Sequence, residues 1–302
     1  MIKILELSEP DTLSPLNDVR SLFTLELMGV PLGIHIARSF KDTGIVEGVI
    51  VPEKLRKKHP DIVRSILNIL PEVNGNDVLS GAIFHRDDGS IELKMPWDLF
   101  PLLKVLLDNI NGIDISEDAK VDDSAIIEGN VSISQGAKVS GGSILRGNIY
   151  IGENAFIGDS AMIRGNVCIE RDVSIGFSTE IKNSIIQQGT HIGPLVSVLD
   201  SYVGVNCNLG ALTRTSNNRF DEQTIKVIIG ENEVETGRRK LGVFIGDNVK
   251  VGAFVLFLPG RKVSRGVFID PKIVVKNNLK AGTRYILKQE LNTVSLESNT
   301  QN

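Results

Sequence analysis

An aliphatic residue returns at every sixth position from residue 115 to residue 181: Ile115, Val121, Ile127, Ile133, Val139, Leu145, Ile151, Ile157, Ile163, Ile169, Ile175 and Ile181. A period of six fits neither the 3.6 of an amphipathic helix nor the 2 of a half-buried strand. It fits a solenoid of short strands and tight corners, the hexapeptide parallel β-helix. The phase runs on through Ile186, Ile192, Val198, Val203 and Leu209 with two five-residue steps. A polar segment at 214–240 breaks it, and Ile245, Val251, Phe257, Val263, Ile269 and Val275 restore it. Three hexapeptides close one triangular coil, so about seven coils are expected, stacked at about 4.8 Å into a prism about 30 Å long. So narrow an interior has little room for rings, and the single tryptophan, Trp97, lies outside the repeat.

The 302 residues allow two domains, and a net charge of −4 gives no global positive field for nucleic acid. Cys168 and Cys207 make neither a disulfide framework nor a metal-ligand set, and no metal is expected. The first seven residues lack a long apolar core, and no apolar run approaches a membrane span. These features point to a cytoplasmic chain with no nucleic-acid or membrane partner.

Residues 1–112 have a different texture. Short strands are expected at 2–7 and 48–51, helices at 31–40 and 61–70, and a hairpin of 77–84 with 91–95 around Asp87, Asp88 and Gly89. A helix over 98–110 has Asp98 as its cap and Pro101 in its first turn, and Gly112 ends it. Alternating strands and helices make this a small α/β domain. The β-helix follows at 113–280. The last stretch, 281–302, is read as a terminal strand and a polar, disordered tail.

The stretch 14–32 resembles the opening of sugar-1-phosphate nucleotidyltransferases through Pro15, Leu16, Arg20, Gly29, Pro31 and Leu32, and residues 95–99 resemble a segment near that domain's end. Such a domain followed by a left-handed β-helix is the layout of the bifunctional nucleotidyltransferase/acetyltransferase family of UDP-N-acetylglucosamine synthesis. The departures matter for activity. Where the family has a glycine-rich phosphate loop, this chain has Glu9, Pro10 and Asp11; two acidic groups repel phosphate and proline offers no N–H. The family's two lysines fall on Leu22 and Val30. The domain is about half the family's length, and it is expected to be a truncated remnant that transfers no nucleotide.

The β-helix carries a second resemblance. Asn206, Asn208, Gly210, Ala211, Thr213, Thr215 and Asn217 match the acetyltransferase half of the family, and residues 219–222, 237–247 and 258–260 resemble its archaeal-type members. This resemblance implies acetyl-CoA as co-substrate, an amino sugar phosphate or nucleotide sugar as acceptor, and a homotrimer. The family's general base falls on Pro194; His191, three residues earlier, is the histidine left in the repeat to serve as base. Asn217 is expected to orient substrate, because an amide both donates and accepts. Arg214, Asn218, Arg219, Lys226, Arg239 and Lys240, with Arg238 beside them, form a basic cluster suited to phosphates through charge-assisted hydrogen bonds. Arg261 and Lys262 resemble the corner that holds CoA phosphates, facing the same edge from the adjacent subunit. Gly252 and Ala253 are small enough for pantetheine to pass.

The expected function is acyl transfer by attack of an amine on a thioester. The alternative is a catalytically silent homologue that binds sugar nucleotide or assembles with an active nucleotidyltransferase. Solvated turns and loops are the bland reading of Asn217 and the basic cluster.

Overall fold

The six-residue phase is realised as a left-handed parallel β-helix in the computed structural model, which describes residues 3–6, 25–41, 46–51, 53–72, 78–80, 83–86 and 89–290. Among these residues one face is a nine-stranded sheet running from Lys120–Val121 to Arg284–Tyr285. The stack therefore has at least nine rungs, not about seven, and is about 38 Å long at the usual strand spacing. The excess comes from strands outside the counted phase: Arg214–Thr215, inside the polar segment, pairs on the stack, and Arg284–Tyr285 adds a rung after Val275. The repeat aliphatics from Ile133 onward fill the interior at 0–5 % exposure, which is why their spacing is so strict. Phe257 lies among them, so the interior does take one ring.

One corner of the prism explains the five-residue steps. The strands Ile126–Ile133, Ile144–Ile151 and Met162–Ile169 run straight through it, pairing in register. On the next rung the chain is one residue shorter, and Met162–Ile169 pairs with two separate strands, Glu180–Lys182 and Ile185–Ile186. The residue at the break, Asn183, takes φ 46°, and its counterpart one rung on, Asp200, φ 47°. Asn and Asp tolerate this left-handed region better than other side-chain-bearing residues.

Amides climb this corner as a ladder. Asn130 Nδ2 donates to Asn148 Oδ1 and Asn148 Nδ2 to Asn166 Oδ1, both at 3.2 Å. Asn166 N donates to Asn183 Oδ1 at 3.1 Å. Asp200 then accepts from Asn183 Nδ2 at 3.0 Å and from Asn217 Nδ2 at 2.5 Å.

The smaller α/β part has a parallel sheet in the order Val46–Ile50, Lys3–Glu6, Val78–Ser80. Its helices are α1 (Leu32–Lys41), α2 (Glu53–Lys58), α3 (Pro60–Leu67) and α4 (Leu99–Leu107). Three expectations need correction. The segment 77–84 is not one strand: Val78–Ser80 joins the parallel sheet, and Ile83–Arg86 alone forms the hairpin with Gly89–Glu92. Asp98 does not cap α4; its Oδ2 accepts from Met95 N at 2.7 Å and Lys94 N at 2.9 Å, capping the 3-10 turn Pro96–Asp98 instead. The segment 214–240 is not all loop, because Lys226–Ile229 pairs antiparallel with Asn232–Glu235, burying Ile225 and Val227. Residues 7–24, Asp87, Asp88 and the tail 291–302 lie outside the described residues.

The two parts share a core. Leu27, Trp97, Leu103 and Leu107 bury against Cys168, Ile185, Tyr202, Leu241 and Phe244 on the outside of the β-helix. The hairpin Glu26–Leu27/Val30–Pro31 supplies the polar half of this dock. Glu26 pairs with Arg171 at 2.5 Å and its carbonyl accepts from Gln187 Nε2 at 2.9 Å. Gly29 N donates to Glu170 Oε2 at 3.0 Å, and a Cβ at Gly29 would lie 2.9 Å from the Tyr150 hydroxyl. Gly29, one of the residues that resemble the nucleotidyltransferase opening, thus helps hold the two parts together.

Candidate functional site

The structure divides the expected site between two faces. His191 is exposed on the nine-stranded face, between Ser174 and Asn208 on neighbouring rungs. Asn208 pairs in turn with Lys250. Gly252 lies one step further along that strand, in a groove of about 390 Å³ that also has Asn208, Lys250, Phe268 and Arg284 on its walls. His191 and Gly252 therefore share one face. Ala253, beside Gly252, is at the corner that follows.

Asn217 and the basic residues lie elsewhere, at the amide corner and on the insertion. Asn217 is buried, held by Asp200 through its Nδ2 and accepting from Leu241 N at 2.9 Å through its carbonyl. It fixes the start and end of the insertion to the stack. Asn218, Arg219, Arg239 and Lys240 line one hollow of about 270 Å³ with Glu222. Arg214 is exposed on the strand Arg214–Thr215.

The insertion neutralises much of the basic cluster. Arg219 makes a two-pronged pair with Asp221 at 2.8 and 2.6 Å, which holds the Asp221 carboxyl down at about 2. Arg239 Nη2 sits 3.2 Å from Glu222 Oε2, and Lys226 Nζ 3.1 Å from Glu233 Oε2. Arg238 turns the other way, half-buried, with its Cζ 5.7 Å from the centre of the Phe100 ring on α4. Burial lowers its pKa, while Asp98 and Asp200 oppose that. Lys240 borders both the hollow and the space in front of Arg238.

Arg261 reaches the insertion within its own chain. It is placed near Glu233, and it donates to Pro259 O at 3.0 Å and Lys276 O at 3.2 Å. Lys262 N donates to Asn278 Oδ1 at 2.9 Å, while Asn278 Nδ2 donates to Ile228 O on the insertion hairpin at 3.2 Å. Among the described residues no group of His, Cys, Asp and Glu could hold a metal, and no helix is long and apolar enough to cross a membrane.

Residues 145–257 match the family described as the GMPPB C-terminal domain. The chain is 43% identical over 111 residues to the protein named "Uncharacterized acetyltransferase YaiX" in Escherichia coli O6:K15:H31, covering 37% of this chain and 48% of that one. With the bifunctional sugar-1-phosphate nucleotidylyltransferase/acetyltransferase of Sulfurisphaera tokodaii it is 40% identical over 102 residues, 34% of this chain and 25% of the other. With the bifunctional protein GlmU of Methanocaldococcus jannaschii it is 41% identical over 196 residues, 65% of this chain and 47% of that one. These matches bear out the resemblance to the bifunctional nucleotidyltransferase/acetyltransferase family. It spans about half the length of the first curated relatives it matches.

Against the family's pattern, Pro194 occupies the base position at the end of the nine-stranded face, and its carbonyl accepts from Leu212 N at 3.1 Å. Sequence reasoning missed Asn166, Asn183 and Asp200 as a connected corner. The two five-residue steps were the available signal, because each marks a shortened turn that needs a residue fit for the left-handed region. Nothing in the spacing showed that Arg238 turns towards α4.

Proposed function

We propose that the chain is a hexapeptide-class acyltransferase that moves an acetyl group from acetyl-CoA to the amine of an amino sugar phosphate or nucleotide sugar. The observation that carries this reading is the 41% identity to a bifunctional archaeal relative over 65% of the chain. In this reading the free amine attacks the thioester carbonyl, a C–N bond forms, the C–S bond breaks, and CoA leaves as its thiol. Backbone N–H groups hold the oxyanion. His191 takes the amine proton, and Asn217, held by Asp200, positions the acceptor. Arg214, Asn218, Arg219, Lys226, Arg239 and Lys240 form the acceptor's phosphate side. Gly252, Ala253, Arg261 and Lys262 form the CoA side.

His191 and Gly252 lie on a different face of the prism from Asn217 and the basic residues of the insertion, so in this reading a complete site needs a second copy. A cytoplasmic homotrimer is part of this proposal, because closed three-fold packing sets one face against another. The test is thiol release from acetyl-CoA with a panel of amino sugars and their phosphates. Amine-dependent release is expected, and His191→Asn should lower kcat by about 10²–10⁴, the usual worth of a positioned base. Full activity in His191→Asn would move the base elsewhere.

A second reading, a silent binding homologue, is favoured by Pro194 at the family's base position. CoA binding by calorimetry with no turnover on any amine would select it.

A further inference from the structure

The two ends of the β-helix carry opposite charge. Residues 113–123, at its start, hold Asp114, Glu117, Asp118, Asp122 and Asp123 against one base, Lys120. Residues 272–288, at its far end, hold Lys272, Lys276, Lys280, Arg284 and Lys288 and no acid. All of these residues are exposed. Among the described residues, Arg284 alone of them has an ion-pair partner, Asp270 at 2.9 Å.

Both ends also leave the sheets open. Among the described residues no strand pairs with the outer side of Ile113–Ile115 or Lys120–Val121, nor with that of Val274–Val275 or Arg284–Tyr285. A bare edge offers backbone N–H and C=O groups to another chain, and a repeat stack stays single when polar residues cap its end rungs. Here the charges rim the ends, and aliphatics stand within the rim. Ile113 and Ile115 are 53 % and 40 % exposed, although Val131 and Ile133, their partners on the next rung, are buried. At the far end Val274, Ile286 and Leu287 are exposed.

The register of the stack fixes how two copies meet. One column of paired residues begins at Ile115 and ends at Leu279. Another begins at Lys120 and ends at Arg284. Continuing both columns into a second copy sets Leu279 beside the next copy's Ile115, and Lys280 beside Ser116, next to Glu117 and Asp118. Arg284 then faces Lys120, a like pair, but Asp270 already holds that arginine. The third face is left with space for one strand between Val274 and the next copy's Ile126, each 46 % exposed. Ile286 and Leu287 leave the last rung beside that space, and Lys288 after them comes to the corner of Asp122 and Asp123. Two like ends would instead set acid against acid or base against base.

We propose that copies of this chain stack head to tail along the prism axis, the basic end of one on the acidic end of the next. Such a contact joins two different surfaces and does not close on itself, so it builds filaments and not a pair. Each end is small, so the contact is weak and needs concentrated protein and low salt. It leaves the faces of the prism free, and it rests neither on acyl transfer nor on three-fold packing.

The experiment is sedimentation velocity and disulfide trapping on the full chain. In low salt, raising the protein concentration should give a series of sizes at whole multiples of one unit. Salt at about 1 M, which cuts the Debye length to about 3 Å, should shorten the series. Lys280→Glu should weaken the association about 10-fold, and adding Glu117→Lys should restore it, because the pair is then reversed and not removed. For trapping, Ser116→Cys and Lys280→Cys are made in separate proteins; the native Cys168 and Cys207 are buried. Within one chain the two positions are a prism length apart, about 38 Å, so they come level only between copies. Mixed and oxidised, the two variants should give a joined product that neither gives alone. A thermal melt accompanies each variant; should Lys280→Glu not fold, the trapping pair carries the comparison. Three results overturn the proposal: one size at every concentration in low salt, no product from the mixture beyond what each variant gives alone, or no rescue by Glu117→Lys in folded proteins.

Discussion

Glu170 is the residue at which this fold is most exposed to conditions. Its carboxyl is buried under the smaller part of the chain, accepting from Gly29 N and from the Cys168 thiol at 3.0 Å each. Burial raises its pKa from 4.5 to about 7. A carboxyl raised in the docked state keeps its proton where the released state would lose it. Docking is then strongest in acid, and the contribution is lost as pH rises from 4.5 through about 7, by up to about 3 kcal/mol. Hydrogen exchange in α4 should accelerate between pH 5 and pH 8, and Glu170→Gln should flatten that dependence; equal slopes in both proteins would contradict it. On the insertion, Arg239 and Lys240 are the other residues to test. Replacing both with Ala should weaken CoA or sugar-nucleotide binding by about 1–3 kcal/mol while the fold survives. Because Arg239 already has Glu222, Lys240 should account for most of the loss. Calorimetry with the two single variants checks the division. This division was not legible in sequence. Six basic residues in 27 positions read as one patch, and only the insertion's own carboxylates, at Asp221, Glu222 and Glu233, reveal that Arg219, Lys226 and Arg239 are already paired.

At the scale of elements, the rungs were legible because their cause is local and repeated: one aliphatic in six must point inward. The same rule fixes the glycines of the straight-through corner. Gly147 has φ 139°, and a Cβ there would meet the Gly165 carbonyl oxygen at 2.4 Å. Gly147→Ala should cost about 1–3 kcal/mol and lower the melting temperature with the β spectrum intact. An unchanged melting temperature would show that the stack relaxes there. The α/β elements were legible only in part. Asp98 stands just before α4 but failed as its cap, because the turn at Pro96–Asp98 gives it helical backbone angles and takes its carboxylate for Lys94 N and Met95 N. The strand expected at 77–84 divided because half of it pairs with the distant Lys3–Glu6, a partner that hydrophobic spacing cannot reveal.

Over the whole molecule, the smaller part packs on the side of the prism, along residues 148–187 and 241–244, and not on its end. Among the described residues the smaller part does not cover the nine-stranded face, and light scattering at micromolar protein should give a trimer; a monomer would contradict it. The same docking consumes the Gly29–Leu32 stretch that resembles a nucleotide-binding signature. Incubation with UTP or dTTP, magnesium and sugar 1-phosphates should release no pyrophosphate above background. Robust release would require a second phosphate site.

The order of docking also carries a consequence for how the chain is made. Up to the insertion, rungs bond to partners 17 or 18 residues away, so each can wind on soon after its own residues leave the ribosome. The hairpin at 26–31 is made first, yet its partners at Cys168, Glu170 and Gln187 follow 140 to 161 residues later. At usual elongation rates that is a delay of about 7 to 32 s. For that interval Leu27 has no prism to cover it, and Trp97 and Leu107, made later, join it for the second part of the wait, so the nascent chain exposes an apolar face that the finished protein covers.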